Sequence, residues 1–164
     1  MKNFILLLMT AIILLSCISC KADDKMHLEY KKTNIDSSSI TAETTYEECV
    51  ELFGEKDVRR FFDCAFFVDK NGKNTVVQFS LEDAKNQKVK RIEVFDKKKM
   101  SSEDISGVSL EIDIFEVVEK IGLPIGSNTS GLKTLDFESS DGKIIRVQFD
   151  MNMKVTHVKL TDTP

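Results

Sequence analysis

The sequence predicts an α+β fold: a tandem repeat of a short helix plus a three-stranded antiparallel meander, with the helices packed on one face of a sheet. Three observations predict it. TTYEECVELFG (44–54) and IDIFEVVEKIG (112–122) are one helical phrase written twice, 68 residues apart. DKNGKNTVVQF (69–79) and SSDGKIIRVQF (139–149) are one hairpin phrase at an offset of 70. KVKRIEVFD from Lys88 lies on KVTHVKLTD from Lys154 at an offset of 66. The changes of offset fall between elements, where added residues cost little.

The N-terminus comes first. Lys2 precedes an apolar run, Phe4 to Leu15, too short to cross a hydrocarbon layer of ~30 Å as a helix, so it reads as a secretory signal. Leu14-Leu15-Ser16-Cys17 resembles the lipobox of bacterial lipoproteins. That resemblance implies removal of a signal peptide, 1–16, lipidation of Cys17 and residence in the bacterial cell envelope, anchored to a membrane and either periplasmic or surface-exposed. Several acyl chains hold a protein where one binds marginally. Cys20 is a rival acceptor, but it would have Cys17 at its −3 position. The other reading is an ordinary signal cut near Ala22. Residues 17–38 lack helix or strand periodicity and read as a lipidated, flexible tether; His27 within it has no companion ligands.

Removing 16 of 164 residues leaves 148, enough for a domain with its own core. A net charge of −4 and a pI near 5.3 give no support to nucleic-acid binding, which calls for a basic stripe. Export permits disulfides, which makes Cys49 and Cys64 a possible pair.

Repeat 1 spans 39–96, a polar linker 97–106 and repeat 2 107–164. In each helix an N-cap, Thr45 or Asp113, has a Glu three residues on, Glu48 or Glu116, the pattern of a capping box. Tyr46, Cys49, Val50 and Phe53, like Ile114, Val117, Val118 and Ile121, form one apolar stripe at helical spacing. Gly54 and Gly122 are expected at the left-handed exit, and Pro124 stops the second helix. Asn71-Gly72 and Asp141-Gly142 signal hairpins with type I′ turns. Neither unit of ~55–60 residues should hide a sheet face alone, so the two halves should pair.

GVSLEIDIFEVVEKIGLP (107–124) resembles the opening of modules with the β-lactamase inhibitor protein fold and of small outer-membrane assembly lipoproteins of the SmpA/OmlA type. Repeat 1 departs from that pattern at Glu55, where a proline usually follows the helix. The resemblance spans most of 39–162. It implies one sheet with helices behind it, a free sheet face that grips another protein, and no catalytic residue.

Strand alternation assigns the faces. Ala65, Phe67, Val77, Phe79, Ile92 and Val94, with Leu135, Phe137, Val147, Phe149, Val158 and Leu160, should face the helices. Gln78, Arg91, Glu93, Arg146, Gln148, His157 and Lys159 should face away, as a binding row or as a plain solvated face. FFDCAFFV (61–68) is apolar on both faces, so Phe62, Cys64, Phe66 and Val68 are expected outward, where repeat 2 has Thr134, Asp136 and Glu138. Phe62 and Phe66 are then partner-binding candidates, unless a loop, the tether or a second chain covers them. In this register Cys49 and Cys64 lie on opposite sides of the sheet, and a disulfide would require a shift of one residue.

Neither His27 nor His157 has ligands at a metal spacing, and nucleophile, phosphate-loop and dinucleotide motifs are missing. The expectation is a non-enzymatic lipoprotein without cofactor that binds another envelope or secreted protein, as an assembly accessory or an inhibitor. Two alternatives stand beside it: a small-ligand or lipid sensor lined by Phe61, Phe62 and Phe66 between the repeats, and an immunity protein against an envelope-acting toxin.

Overall fold

A computed structural model describes residues 29–81, 87–128 and 132–161. The chain forms two antiparallel four-stranded sheets. Helix α1 (Tyr46–Leu52) precedes β1 (Arg59–Phe61), β2 (Cys64–Val68), β3 (Asn74–Phe79) and β4 (Val89–Phe95), which make sheet 1. Helix α2 (Ile114–Ile121) precedes β5 (Pro124–Asn128), β6 (Lys133–Glu138), β7 (Ile144–Phe149) and β8 (Val155–Thr161), which make sheet 2. The α+β class stands. The three-stranded meander and the single sheet do not: β1 and β5 add a strand to each unit, and neither stretch carries the alternation that announces a strand.

Capping starts the helices as expected. Glu48 N donates to Thr45 Oγ1 at 3.3 Å and Thr45 N to Glu48 Oε2 at 2.7 Å; Asp113 Oδ1 accepts from Phe115 N and Glu116 N, both at 3.0 Å. Each start is also clamped to the last strand of its own sheet. Tyr46 N donates to Gln87 O and Val89 N to Thr44 O, while Ile114 N donates to Met153 O and Val155 N to Ile112 O.

The exits differ from expectation. Helix α1 stops on Phe53 at φ −86°, so Gly54 serves no left-handed cap. Gly122 has φ 108° and ψ −164°, a region open essentially to glycine alone, and a Cβ there would lie 2.6 Å from Lys98 O. The linker's close passage is thus a second demand on that residue.

Both predicted hairpins form with three-residue loops instead of type I′ turns. Asp69 N donates to Lys73 O and Gly72 N to Asp69 O, with Gly72 at φ 82°; Ser139, Lys143 and Gly142 repeat this, with φ 79°. The residue ahead of each loop explains the choice. Asp69 Oδ1 accepts from Asn71 N and Lys73 N, and Ser139 Oγ from Lys143 N, which favours the wider loop with one left-handed glycine.

The layer order was not foreseen. Cys49 and Phe53 pack with Ala65, Phe67, Val77 and Phe79 in one core. On the other face of sheet 1, Cys64, Phe66 and Val76 join Phe115, Val117, Leu135, Phe137 and Val147 in a second core. The order is therefore α1, sheet 1, α2, sheet 2, with α2 buried on two sides. Phe115 is the residue that makes this possible, being buried, off the expected stripe, and placed where α1 carries the exposed Glu47. Conversely, Val50 of the expected α1 stripe is exposed, whereas its counterpart Val118 is buried.

Packing begins before residue 39. Lys32 bridges Val68 in parallel, Lys70 N donates to Ile35 O, and Ile35 is buried. Tyr30 Oη donates to Pro124 O at 2.6 Å under the Arg59 guanidinium, and burial raises its hydroxyl pKa well above the ordinary value. The tether expected over 17–38 therefore does not extend through its last residues. The linker is fixed as well: Ser140 N donates to Met100 O, and Ser102 binds the Asp141 carboxylate through N and Oγ.

Candidate partner-binding face

The outer face of sheet 2 carries a grid set by strand register. Thr134, Gln148 and His157 form one row across β6, β7 and β8; Asp136, Arg146 and Lys159 form the next; Glu138, Ile144 and Thr161 form the third. Arg146 holds the centre. Its Nε and Nη2 donate to Asp136 Oδ1 and Oδ2, each at 2.7 Å, a planar fork that fixes its direction. The Asp136 hydrogen bonds raise the guanidinium pKa further, against the opposing effect of burial. Lys99 from the linker pairs with Glu138 at the corner. His157 and Lys159 are exposed.

Comparing the two sheets explains why this face is polar. At equivalent positions Cys64, Phe66, Val68 and Val76 of sheet 1 stand for Thr134, Asp136, Glu138 and Arg146 of sheet 2. Cys64, Phe66 and Val76 lie in the core that α2 shares and Val68 is buried as well, whereas the second set faces away from α2. Thr134, Asp136 and Glu138 are also little exposed, but Arg146 and Lys99 pair with the two carboxylates, and a buried carboxylate without such a partner would be strongly unfavourable.

Four of the nine predicted contact residues, Arg146, Gln148, His157 and Lys159, therefore share the predicted face. Four others do not. Phe66 is fully buried in the second core. Gln78 is buried, with Nε2 donating to Asp63 Oδ2 at 2.9 Å. Arg91 stacks at 4.1 Å over Phe115 and pairs with Asp113 and Glu93. Arg91 and Glu93 thus belong to the seam between sheet 1 and α2. Their alternation was right, and the face was covered. Phe62 is exposed, but it sits in the two-residue turn joining β1 to β2 at φ 56°, with Lys133 Nζ 5.6 Å from its ring.

Cys49 and Cys64 are free thiols in different cores, so the expected register holds and they are not joined. Burial pushes Cys49 up to about 11, and Cys64 well above its usual value. Cys17, Cys20 and His27 lie outside the described residues. Among the described residues no three His, Cys, Asp or Glu could together hold a metal, and no helix is long and apolar enough to cross a membrane. The place expected for a ligand between the repeats is filled: Phe61 packs against Phe66 and the α2 core. The sequence held two signals for this arrangement: Phe115 in place of Glu47, and the apolar Cys64, Phe66, Val68 and Val76 where repeat 2 has Thr134, Asp136, Glu138 and Arg146.

Comparison with protein-family models, with curated proteins and with solved structures returns no match.

Proposed function

We propose that this chain is a lipid-anchored protein of the bacterial envelope that binds another protein through the outer face of sheet 2, without catalysing a reaction. The observation that carries the reading is the layer order. Among the described residues three of the four sheet faces pack on a helix, and the fourth presents Arg146, Gln148, His157 and Lys159 in register. Polar and charged rows on a sheet give specificity and steer association, and the fork on Asp136 holds Arg146 in one direction within them. The likeness of 107–124 to assembly lipoproteins and to the inhibitor fold supports a tandem-module, protein-gripping role in either setting.

The test places a photo-crosslinking residue at Lys159 or, on the opposite side of the molecule, at Glu47 in envelope-localised protein. A discrete adduct from position 159 that His157→Glu abolishes supports the face; equal adducts from both positions sink it. Separately, radiolabelled palmitate should enter the wild-type chain and not the Cys17→Ala chain.

A further inference from the structure

We infer that two copies of this chain pair through the outer edge of β4, antiparallel about a two-fold axis at Ile92, which joins the two copies of the four-stranded sheet 1 into one continuous sheet. A free edge is a template for another strand unless it is short, covered or blunted. Three of the four edges here are protected. β1 is three residues long, and Lys32 bridges Val68 just beyond it. β5 opens on Pro124, and the Pro124 and Ile125 carbonyls accept from Tyr30 Oη and Arg59 Nη1. The 3-10 turn Ser102–Gly107 packs against β8. β4 is seven residues long, and Thr44 takes only its first residue, Val89.

Strand register identifies the groups that stand free. Asp69 N donates to Lys73 O and Phe79 N to Asp63 O, so the odd-numbered residues of β3 bond to β2. Alternation then turns Asn74, Val76 and Gln78 towards β4, where they meet Phe95, Glu93 and Arg91. The N–H and C=O of Ile92 and Val94 therefore point outward. Among the described residues these outward groups have no hydrogen-bond partner. Ile92 and Val94 lie opposite Val77 and Thr75, on the α1 side of the sheet. Val94, expected to face the helix, is 45% exposed there.

Charge selects a second copy as the occupant. With Ile92 opposite Ile92 of the second copy, the two residues exchange both backbone hydrogen bonds. Arg91 then stands directly across from Glu93 of the second copy, and Glu93 from its Arg91, at the pairs where side chains lie closest. Lys90 falls opposite Val94. Across 90–94, with the Asp113 that holds Arg91, two cations meet two carboxylates and the charges cancel in each copy. Lys88 and Asp96, at the two ends, already pair with Glu43 and Lys73. Centred on Val158, the position equivalent to Ile92, β8 would instead set Lys159 against His157. The axis stands perpendicular to sheet 1, so both copies keep the order α1, sheet 1, α2, sheet 2 in one direction. On the reading of the sheet 2 face proposed above, the pair presents two such faces together, and a partner with two sites gains avidity.

Both cores and all eight strands lie within residues 30–161, so a chain beginning at Ile18 keeps every described contact. Sedimentation equilibrium of this chain should give a mass that rises towards twice the monomer value through the high-micromolar range, since the interface is short. Val94→Pro removes an outward N–H without touching the ladder between β3 and β4, and Glu93→Lys sets like charges across the axis. Each should leave a monomer with native far-UV circular dichroism; if Val94→Pro does not fold, Glu93→Lys decides. Leu160→Pro, the equivalent change on β8, should leave the dimer. A wild-type monomer over that range, a dimer that survives Glu93→Lys or a folded Val94→Pro, or a dimer lost in a folded Leu160→Pro chain overturns the inference. The crosslink from position 159, measured in the Glu93→Lys chain, reports on the sheet 2 face separately, so either reading can fail alone.

Discussion

The Arg91 guanidinium lies 4.1 Å from the centre of the Phe115 ring while its Nη1 approaches Asp113 Oδ2 at 2.5 Å. One side chain of sheet 1 thereby holds both the N-cap and the buried ring of a helix belonging to the other unit. Asp113 uses one oxygen for its helix and the other for Arg91. Truncating Arg91 to Ala should cost ~1–2 kcal/mol in urea unfolding, the sum of a stacked cation and a partly exposed pair. Arg91→Lys should recover less than half, since an ammonium neither stacks nor forks. Full recovery by Lys would mean that charge alone matters.

Phe66 and Lys159 were both expected to face outward, and the fold separates them. Phe66→Ala opens a cavity in the second core and should cost ~3–5 kcal/mol. Lys159→Ala removes an exposed side chain and should change stability by no more than ~0.5 kcal/mol. Denaturation midpoints measured side by side check the pair, and a small effect at Phe66 would contradict the position of α2 between the sheets.

The thiols report on the same layers. In the native chain neither Cys49 nor Cys64 should take up iodoacetamide at pH 8, because burial keeps both protonated and unreachable. Peptide mass spectrometry should find both alkylated once the chain is unfolded without reductant. A linked Cys49–Cys64 peptide would require a different strand register.

Asp141 couples the linker to sheet 2 in a pH-dependent way. Hydrogen bonds from Ser102, its hydroxyl foremost, hold this carboxyl well below the usual range. A depressed folded value contributes stability that is complete above the unfolded value of ~3.9 and is lost as pH falls through the folded one. Thermal midpoints should therefore fall on acidification below about pH 4, less steeply in Asp141→Asn than in wild type. Parallel acid limbs would show that Ser102 does not act through the ionised form.

Much of this fold was legible because it depends on local rules. The Thr45 and Asp113 caps, the hairpins at Gly72 and Gly142 and the alternation of every strand from β2 to β4 and β6 to β8 are decided by neighbours a few residues apart. The same period of two kept Arg146, Gln148, His157 and Lys159 on one face. The turns depart from type I′ because Asp69 and Ser139, two residues before Asn71 and Asp141, widen the loops. What the chain by itself determined is therefore two similar α+β units and the side of its own strands on which each residue lies. The tertiary structure alone decided which of those faces meets water. Helix α2 lies between two sheets, buries Phe66, draws Arg91 into the seam and, among the described residues, leaves the outer face of sheet 2 without a helix. Which element covers a face depends on contacts between residues far apart in sequence. Both sheets alternate in the same way, and the apolar Cys64, Phe66 and Val76 of sheet 1, with the packing of Phe115, tell their faces apart.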